Sequence, residues 1–190
     1  MSLLHANKHH VSVPEYLEGE QLTEIRHEYI GGQVYAMGGA SRAHGLISGN
    51  LFMALRQKAR ENKCQLFIAD MKVRLKISGQ DIFYYPDLLL SCDPDDREDF
   101  FCQSPCLIIE VLSESTERID RREKMLAYQT LPSLQEYILV SQDERRVEIY
   151  RRRNEWKPDI VCEGDFSLHC LDVSVALADV YVDVTEPHAK

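Results

Sequence analysis

Two acids stand where acids are costly. Glu110 sits inside the run LIIEVL at 107–112, with aliphatic residues on both sides. A carboxylate in such a run must find a partner charge, hold a proton or bind a cation, because losing water without compensation is heavily unfavourable. Asp87 has a similar setting at the start of PDLLL, 86–90. Acids on two core strands can converge on one hard divalent ion, Mg²⁺ or Mn²⁺, which takes oxygen ligands and keeps waters for a substrate phosphate and a nucleophile. Plainer roles fit the same residues. Asp87 follows Pro86 and suits a turn residue that bonds its own backbone, and Glu110 suits a structural pair with an arginine.

Other groups could join such a cleft. His44 opens a helix beside Gly39 and Ser41, and an imidazole at a positive helix end suits contact with phosphate. An ordinary surface position suits it too. Glu28, on the first strand of the chain, could reach the same place, and Asp70 is a weaker candidate. Ser113 and Ser115 lack a histidine at activating spacing and read as helix caps rather than nucleophiles. The acidic stretch Asp93–Asp99 reads as solvated surface. Arg151-Arg152-Arg153 with Lys157 forms either a small basic patch or a solvated hairpin turn.

The bulk properties narrow the class. Lys plus Arg number 22 and Asp plus Glu 31, a net charge of −9, which argues against a protein that coats duplex nucleic acid through a basic face. It does not exclude a nuclease, whose own carboxylates add negative charge. No apolar run is long enough to span a bilayer, and Met1–His10 has no apolar signal region. Six cysteines occur without a Cys-x-x-Cys pair at zinc spacing, so the expectation is reduced, mostly buried thiols in a cytoplasmic protein.

The elements that must hold these residues follow from periodicity. Residues 1–13, with three histidines, read as a leader, residues 14–183 as one domain and 184–190 as a tail. Pro14–Leu22 is a short amphipathic helix. His27–Met37 divides at Gly31-Gly32 into a hairpin. Ile47, Leu51, Ala54 and Leu55 mark one face of a helix over His44–Arg60. Cys64–Ile68 and Met71–Ile77 are strands. The second alternates Met71, Val73, Leu75 and Ile77 with Lys72, Arg74 and Lys76, giving one wet, basic face. Phe83–Ser91 reads as one strand, Cys106–Leu112 and Glu136–Val140 as buried central strands, and Glu117–Thr130 as a helix stopped by Leu131-Pro132. A hairpin follows around Asn154. The tail suggests a helical turn at 172–174 and a short strand at 177–182. The whole is an α/β (α+β) domain with a mixed sheet flanked by helices.

Taken together, Tyr85-Pro86-Asp87-Leu88, Ile109 to Ser113, Asp120, Lys124 to Tyr128 and Glu136-Tyr137 resemble the Uma-type restriction endonucleases of the PD-(D/E)XK nuclease superfamily. The likeness runs from about Pro14 to Val182 and includes the Glu28–Tyr35 strand pair and the closing Ala178–Tyr181 segment. It implies a restriction-endonuclease-like core, Asp87 and Glu110 as metal ligands, and hydrolysis of DNA phosphodiester bonds assisted by Mg²⁺ or Mn²⁺. The superfamily lysine usually stands two residues after the second acid, where this chain has Leu112; the Uma-type pattern places it on the next helix, at Lys124. There it would orient the attacking water, with His44 and Glu28 assisting. Asp120 and Lys124 are also spaced as an ordinary i,i+4 pair on an exposed helix face. Glu114 departs from a proline common in the family. A homodimer with two sites for two strands is the expected assembly. The rival reading is a catalytically inactive nuclease fold serving as a binding or assembly module.

Overall fold

The computed structural model describes residues 10–113 and 117–185. The first helix, α1 (Val13–Leu22), begins at Ser12, whose hydroxyl and backbone exchange hydrogen bonds with Glu15 in a reciprocal cap. Within the segment read as a leader, Val11 is tied down: its N–H donates to the Gly32 carbonyl and its own carbonyl accepts from the Tyr29 hydroxyl. Strands β1 (His27–Ile30) and β2 (Gln33–Ala36) pair around Gly31 and Gly32, both at positive φ as the tight hairpin turn requires. Helix α2 (Arg42–Glu61) starts at Ser41 and buries Ile47, Leu51, Leu55 and Ala59.

The strands that follow are β3 (Gln65–Ile68), β4 (Lys72–Ile77), β5 (Gln80–Tyr84), β6 (Leu88–Ser91), β7 (Phe101–Cys102), β8 (Leu107–Leu112), β9 (Glu136–Ser141), β10 (Val147–Arg151), β11 (Pro158–Val161), β12 (Asp165–Leu168) and β13 (Val173–Ala176). One sheet has the order β2-β1-β5-β4-β7, the second β11-β10-β9-β8-β6-β3, and β12 and β13 form a separate hairpin. The stretch read as one strand over Phe83–Ser91 is two, β5 and β6, in different sheets. Pro86 has no N–H for a ladder, and the chain crosses from one sheet to the other there.

β8 sits between β6, antiparallel, and β9, parallel. It is buried on both faces, which explains an apolar run interrupted only by Glu110. Leu107, Ile109 and Val111 pack toward α2 and the C-terminal hairpin, while Ile108 and Leu112 pack toward the other sheet with Tyr84, Tyr128 and Tyr137. By this alternation Glu110 belongs to the second face.

Three local expectations need correction. The basic face of β4 is wet only at Lys76: Lys72 is buried and donates to the Tyr85 hydroxyl, which donates to Glu20 of α1, and Arg74 pairs with Asp81 beside Phe83 and Phe101. Helix α1 covers the rest of that face and brings the acid Lys72 needs. The Arg151–Arg153 segment is a solvated hairpin turn only from Arg153 onward: Arg151 is buried against Glu136, and Arg152 donates to the carbonyls of Leu131 and Leu134. The tail is reversed, with strand β13 at Val173–Ala176 followed by the short helix α5 (Leu177–Val180). The acidic stretch Asp93–Asp99 is solvated surface as expected, exposed throughout except at Asp96, which accepts from the backbone N–H groups of Gln103 and Ser104.

The cysteines also depart from expectation. Cys64 is bonded to Cys92 and Cys106 to Cys170, while Cys102 and Cys162 are free thiols. The sequence separations of 28 and 64 hid this. Gln65 lies opposite Ser91 across β3 and β6, so Cys64 and Cys92 are neighbours at the end of that ladder.

The helical segment after β8 is composite. An α turn (α3, Glu117–Ile119) leads into a π turn at Asp120–Lys124 and then into α4 (Met125–Tyr128). Of the two serines expected to cap it, Ser115 lies outside the described residues, and the Ser113 carbonyl accepts from Glu117 N–H.

Candidate active site

β6 and β8 pair with Leu88 opposite Ile109. One step further along, Asp87 stands opposite Glu110, and antiparallel partners project from the same face. The backbone ladder is replaced here by side chains. Asp87 N–H donates to Glu110 Oε2 at 3.3 Å, and Val111 N–H donates to Asp87 Oδ2 at 2.7 Å. Asp87 therefore binds the neighbouring strand rather than its own turn.

Glu110 meets a lysine, not an arginine. Lys124 Nζ lies 3.3 Å from Glu110 Oε1, 3.0 Å from Glu28 Oε1 and 3.3 Å from Asp120 Oδ1. The Tyr128 hydroxyl donates to Glu110 Oε1 at 3.1 Å. The pairing of Asp120 with Lys124 is real but not on an exposed face, for both are buried, at 2% and 6% exposure. The π turn carries them inward; such turns widen a helix by one residue and recur at functional sites. On the open side, His44 Nε2 lies 3.1 Å from Asp87 Oδ2, and the His44 backbone N–H donates to Ser41 Oγ. Asp87, His44 and Glu28 side chains keep 19%, 17% and 16% of their surface, against 4% for Glu110. The pocket is thus sealed at Glu110 and accessible at Asp87.

Burial pushes the Glu110 carboxyl well above the usual range; Lys124 opposes this, while Asp120, Asp87 and Glu28 add to it. Burial alone would lower Lys124, but Glu110, Glu28 and Asp120 outweigh it and hold the ammonium charged. Burial, followed by the charge of Glu110, raises Tyr128, so its hydroxyl stays a donor. Burial also disfavours the imidazolium of His44, yet its bond to Asp87 leaves its pKa raised overall.

All five residues singled out from the sequence, Glu28, His44, Asp87, Glu110 and Lys124, therefore converge. Asp70 does not: it pairs with Arg26 at an exposed position. Asp120 and Tyr128 add a carboxylate and a hydroxyl that sequence reasoning gave no role at the acids. Their signal was the spacing 120, 124, 128, which repeats at four residues.

The donor set fits a hard divalent cation. Three carboxylates, Glu28, Glu110 and Asp120, lie around the Lys124 ammonium, and the fourth, Asp87, meets the His44 imidazole. Glu28 Oε1 and Asp120 Oδ1 are buried without an aligned hydrogen bond, although the lysine ammonium lies close to each. Asp87 and Glu110 would hold the ion.

Residues 13–178 match the family described as "Uma2: Putative restriction endonuclease". The chain belongs to the Uma2 family. Two uncharacterized proteins of Synechocystis sp. (strain ATCC 27184 / PCC 6803 / Kazusa) are similar to it. One is 37% identical over 146 residues, covering 76% of each chain; the other is 32% identical over 145 residues, covering 75% of this chain and 81% of the relative. A crystal structure described as a putative nuclease belonging to DUF820, from Anabaena variabilis ATCC 29413, superposes with a TM-score of 0.69 at 16% identity, covering 89% of this chain and 98% of that one. At that identity the likeness concerns the fold, which is the nuclease-like mixed α+β arrangement expected of a Uma2 chain. No described helix is long and apolar enough to cross a membrane.

Proposed function

We propose that this Uma2 protein is a metal-dependent endonuclease that hydrolyses DNA phosphodiester bonds. The observation that carries the reading is the interlocked pair Asp87 and Glu110, backed by a buried lysine at the open edge of two core strands. When bound, Mg²⁺ or Mn²⁺ supplies Lewis-acid stabilisation of phosphate charge and makes water a better nucleophile. Asp87 and Glu110 are the metal ligands. Lys124 stands beside Glu110 as the group that orients the attacking water or meets developing negative charge. Glu28 and Asp120 hold that ammonium in place. His44 fixes Asp87 Oδ2 through Nε2 and can pass a proton at the exposed rim. The proposed substrate is duplex DNA cut by a homodimer, each protomer serving one strand.

The test is nicking of supercoiled plasmid with Mg²⁺ or Mn²⁺, comparing the parent with Asp87→Ala and Glu110→Ala. Loss of cleavage in both supports the assignment; parental activity in both removes it. The net charge of −9 favours a second reading, an inactive nuclease fold that serves as a binding module. Thermal denaturation with Mn²⁺ separates the two, since an ion that binds the native state raises the midpoint. A folded protein with no shift at millimolar Mn²⁺ favours the module.

A further inference from the structure

Cys92, Cys106 and Cys170 come from separate segments and meet at the end of β6 and β8 remote from Asp87, where Cys64 joins them through its bond to Cys92. Beyond the two bonded pairs, Cys92 Sγ lies 3.8 Å from Cys106 Sγ. The Sγ atoms of Cys92, Cys106 and Cys170 all lie within 4.8 Å of one another, the single such group of three ligand atoms among the described residues. Zinc–thiolate bonds of ~2.3 Å in a tetrahedron place neighbouring sulfurs about 3.8 Å apart.

The backbone around this cluster is fixed. Cys64 N–H donates to the Ala59 carbonyl at the end of α2, and Cys106 N–H to the Leu90 carbonyl. The Cys106 carbonyl accepts from Gln135 and Glu136 N–H groups. Cys170 N–H donates to Glu136 Oε2, and the other oxygen of that carboxylate is held by Arg151. Ligands carried on rigid, hydrogen-bonded backbone are preorganised for an ion. Cys64 is buried, Cys106 and Cys170 are partly buried and Cys92 is exposed, which leaves an entry at Cys92 and a protein wall behind it.

We propose that, in the reduced protein, these four cysteines form a thiolate site for one soft divalent cation, with Zn²⁺ the natural occupant. Sulfur ligands select Zn²⁺ over Mg²⁺, so this site and the carboxylate site take different ions. The two disulfides are the metal-free, oxidised form of the same cluster. Opening each takes two electrons and two protons from a dithiol, which becomes a disulfide. Each cysteine then gives up its proton as it ligates.

The test uses the full chain reduced with a water-soluble phosphine, which becomes its oxide with oxygen from water, and then titrated with Co²⁺ and with Zn²⁺ as separate probes. The expected result is tight binding of one ion per chain, with thiolate-to-cobalt charge transfer and the intense visible bands of a tetrahedral ion. Cys92→Ser with Cys106→Ser abolishes both, while Cys102→Ser, outside the cluster, keeps them. Asp87→Ala also keeps them, so the result stands or falls separately from the nuclease reading. Absence of charge-transfer bands in the reduced parent overturns the proposal. Equal binding by the oxidised protein, or loss of binding in Asp87→Ala, overturns it as well. If Cys92→Ser with Cys106→Ser fails to fold, Cys92→Ser alone at its exposed position decides, with retained four-sulfur spectra counting against the site.

Discussion

Strands β6 and β8 carry opposite chemistries at their two ends. At one end Asp87 and Glu110 present hard oxygen ligands on the face toward Tyr128. At the other, Cys92 and Cys106 present sulfur next to the face packed on α2. Cys92 stands five positions beyond Asp87, ~17 Å of strand. The oxygen end is charged, half open and held by side-chain contacts that replace the ladder. The sulfur end is cross-linked and held by backbone hydrogen bonds. One rigid pair of strands can thus support two sites that differ in ion preference, redox sensitivity and exposure. The difference teaches that the chemistry of these strands gathers where the β6–β8 ladder ends, even though Glu110 itself lies inside β8 and its ladder to β9 continues past it.

The comparison breaks first at the oxygen end. Asp87→Ala or Glu110→Ala is expected to lower Mg²⁺-dependent plasmid nicking by ~10³-fold or more, the scale of losing a preorganised electrostatic contact to the transition state. Both variants should also lose the Mn²⁺-induced thermal shift while leaving both disulfides intact. Lys124→Met should come next, costing about 3–5 kcal/mol in urea unfolding, because it strands Glu110 and Asp120 as buried acids without their counter-charge. An unchanged midpoint would mean that those acids are protonated without help. At the sulfur end, Cys64→Ser with Cys92→Ser should cost about 2–4 kcal/mol under oxidising conditions and much less after reduction, with nicking unaffected. A loss of nicking as large as that of Asp87→Ala would join the two ends into one unit.

The smallest effect is a pH slope. Burial raises the folded pKa of Glu110 above its unfolded value. The native state then binds the proton more tightly than the unfolded chain, so stability falls as pH rises from the ordinary glutamate range toward the folded pKa. Glu110→Gln should flatten that fall in the metal-free protein. An identical slope in thermal denaturation from pH 4 to 8 would remove Glu110 as its source.

The oxygen end was legible in the sequence because an acid inside LIIEVL contradicts its surroundings, whereas the register that sets Asp87 opposite Glu110 was not, since an apolar run does not name its partner. Lys124 was legible only through family resemblance, since its spacing to Asp120 equally describes a surface pair. The π turn that buries it leaves no signature in hydrophobic period. The sulfur end was not legible at all. Its members come from ladder ends separated by long loops, and no local spacing reports a non-local approach. The wet face assigned to β4 failed at Lys72 for a related reason: alternation shows which residues share a face, but not that α1 will arrive with Glu20 to cover it.

The π turn at Asp120–Lys124 carries one last implication. An α-helix advances about 100° per residue, so deleting a single residue inside that turn would swing the ammonium away from the acids while leaving the rest of the segment helical. Leu112, two positions past Glu110, already points to the same side of β8, so a lysine gained there could restore the cation from the strand. What the two acids call for is one positive charge at a given place in space, and this fold offers more than one backbone position from which to deliver it.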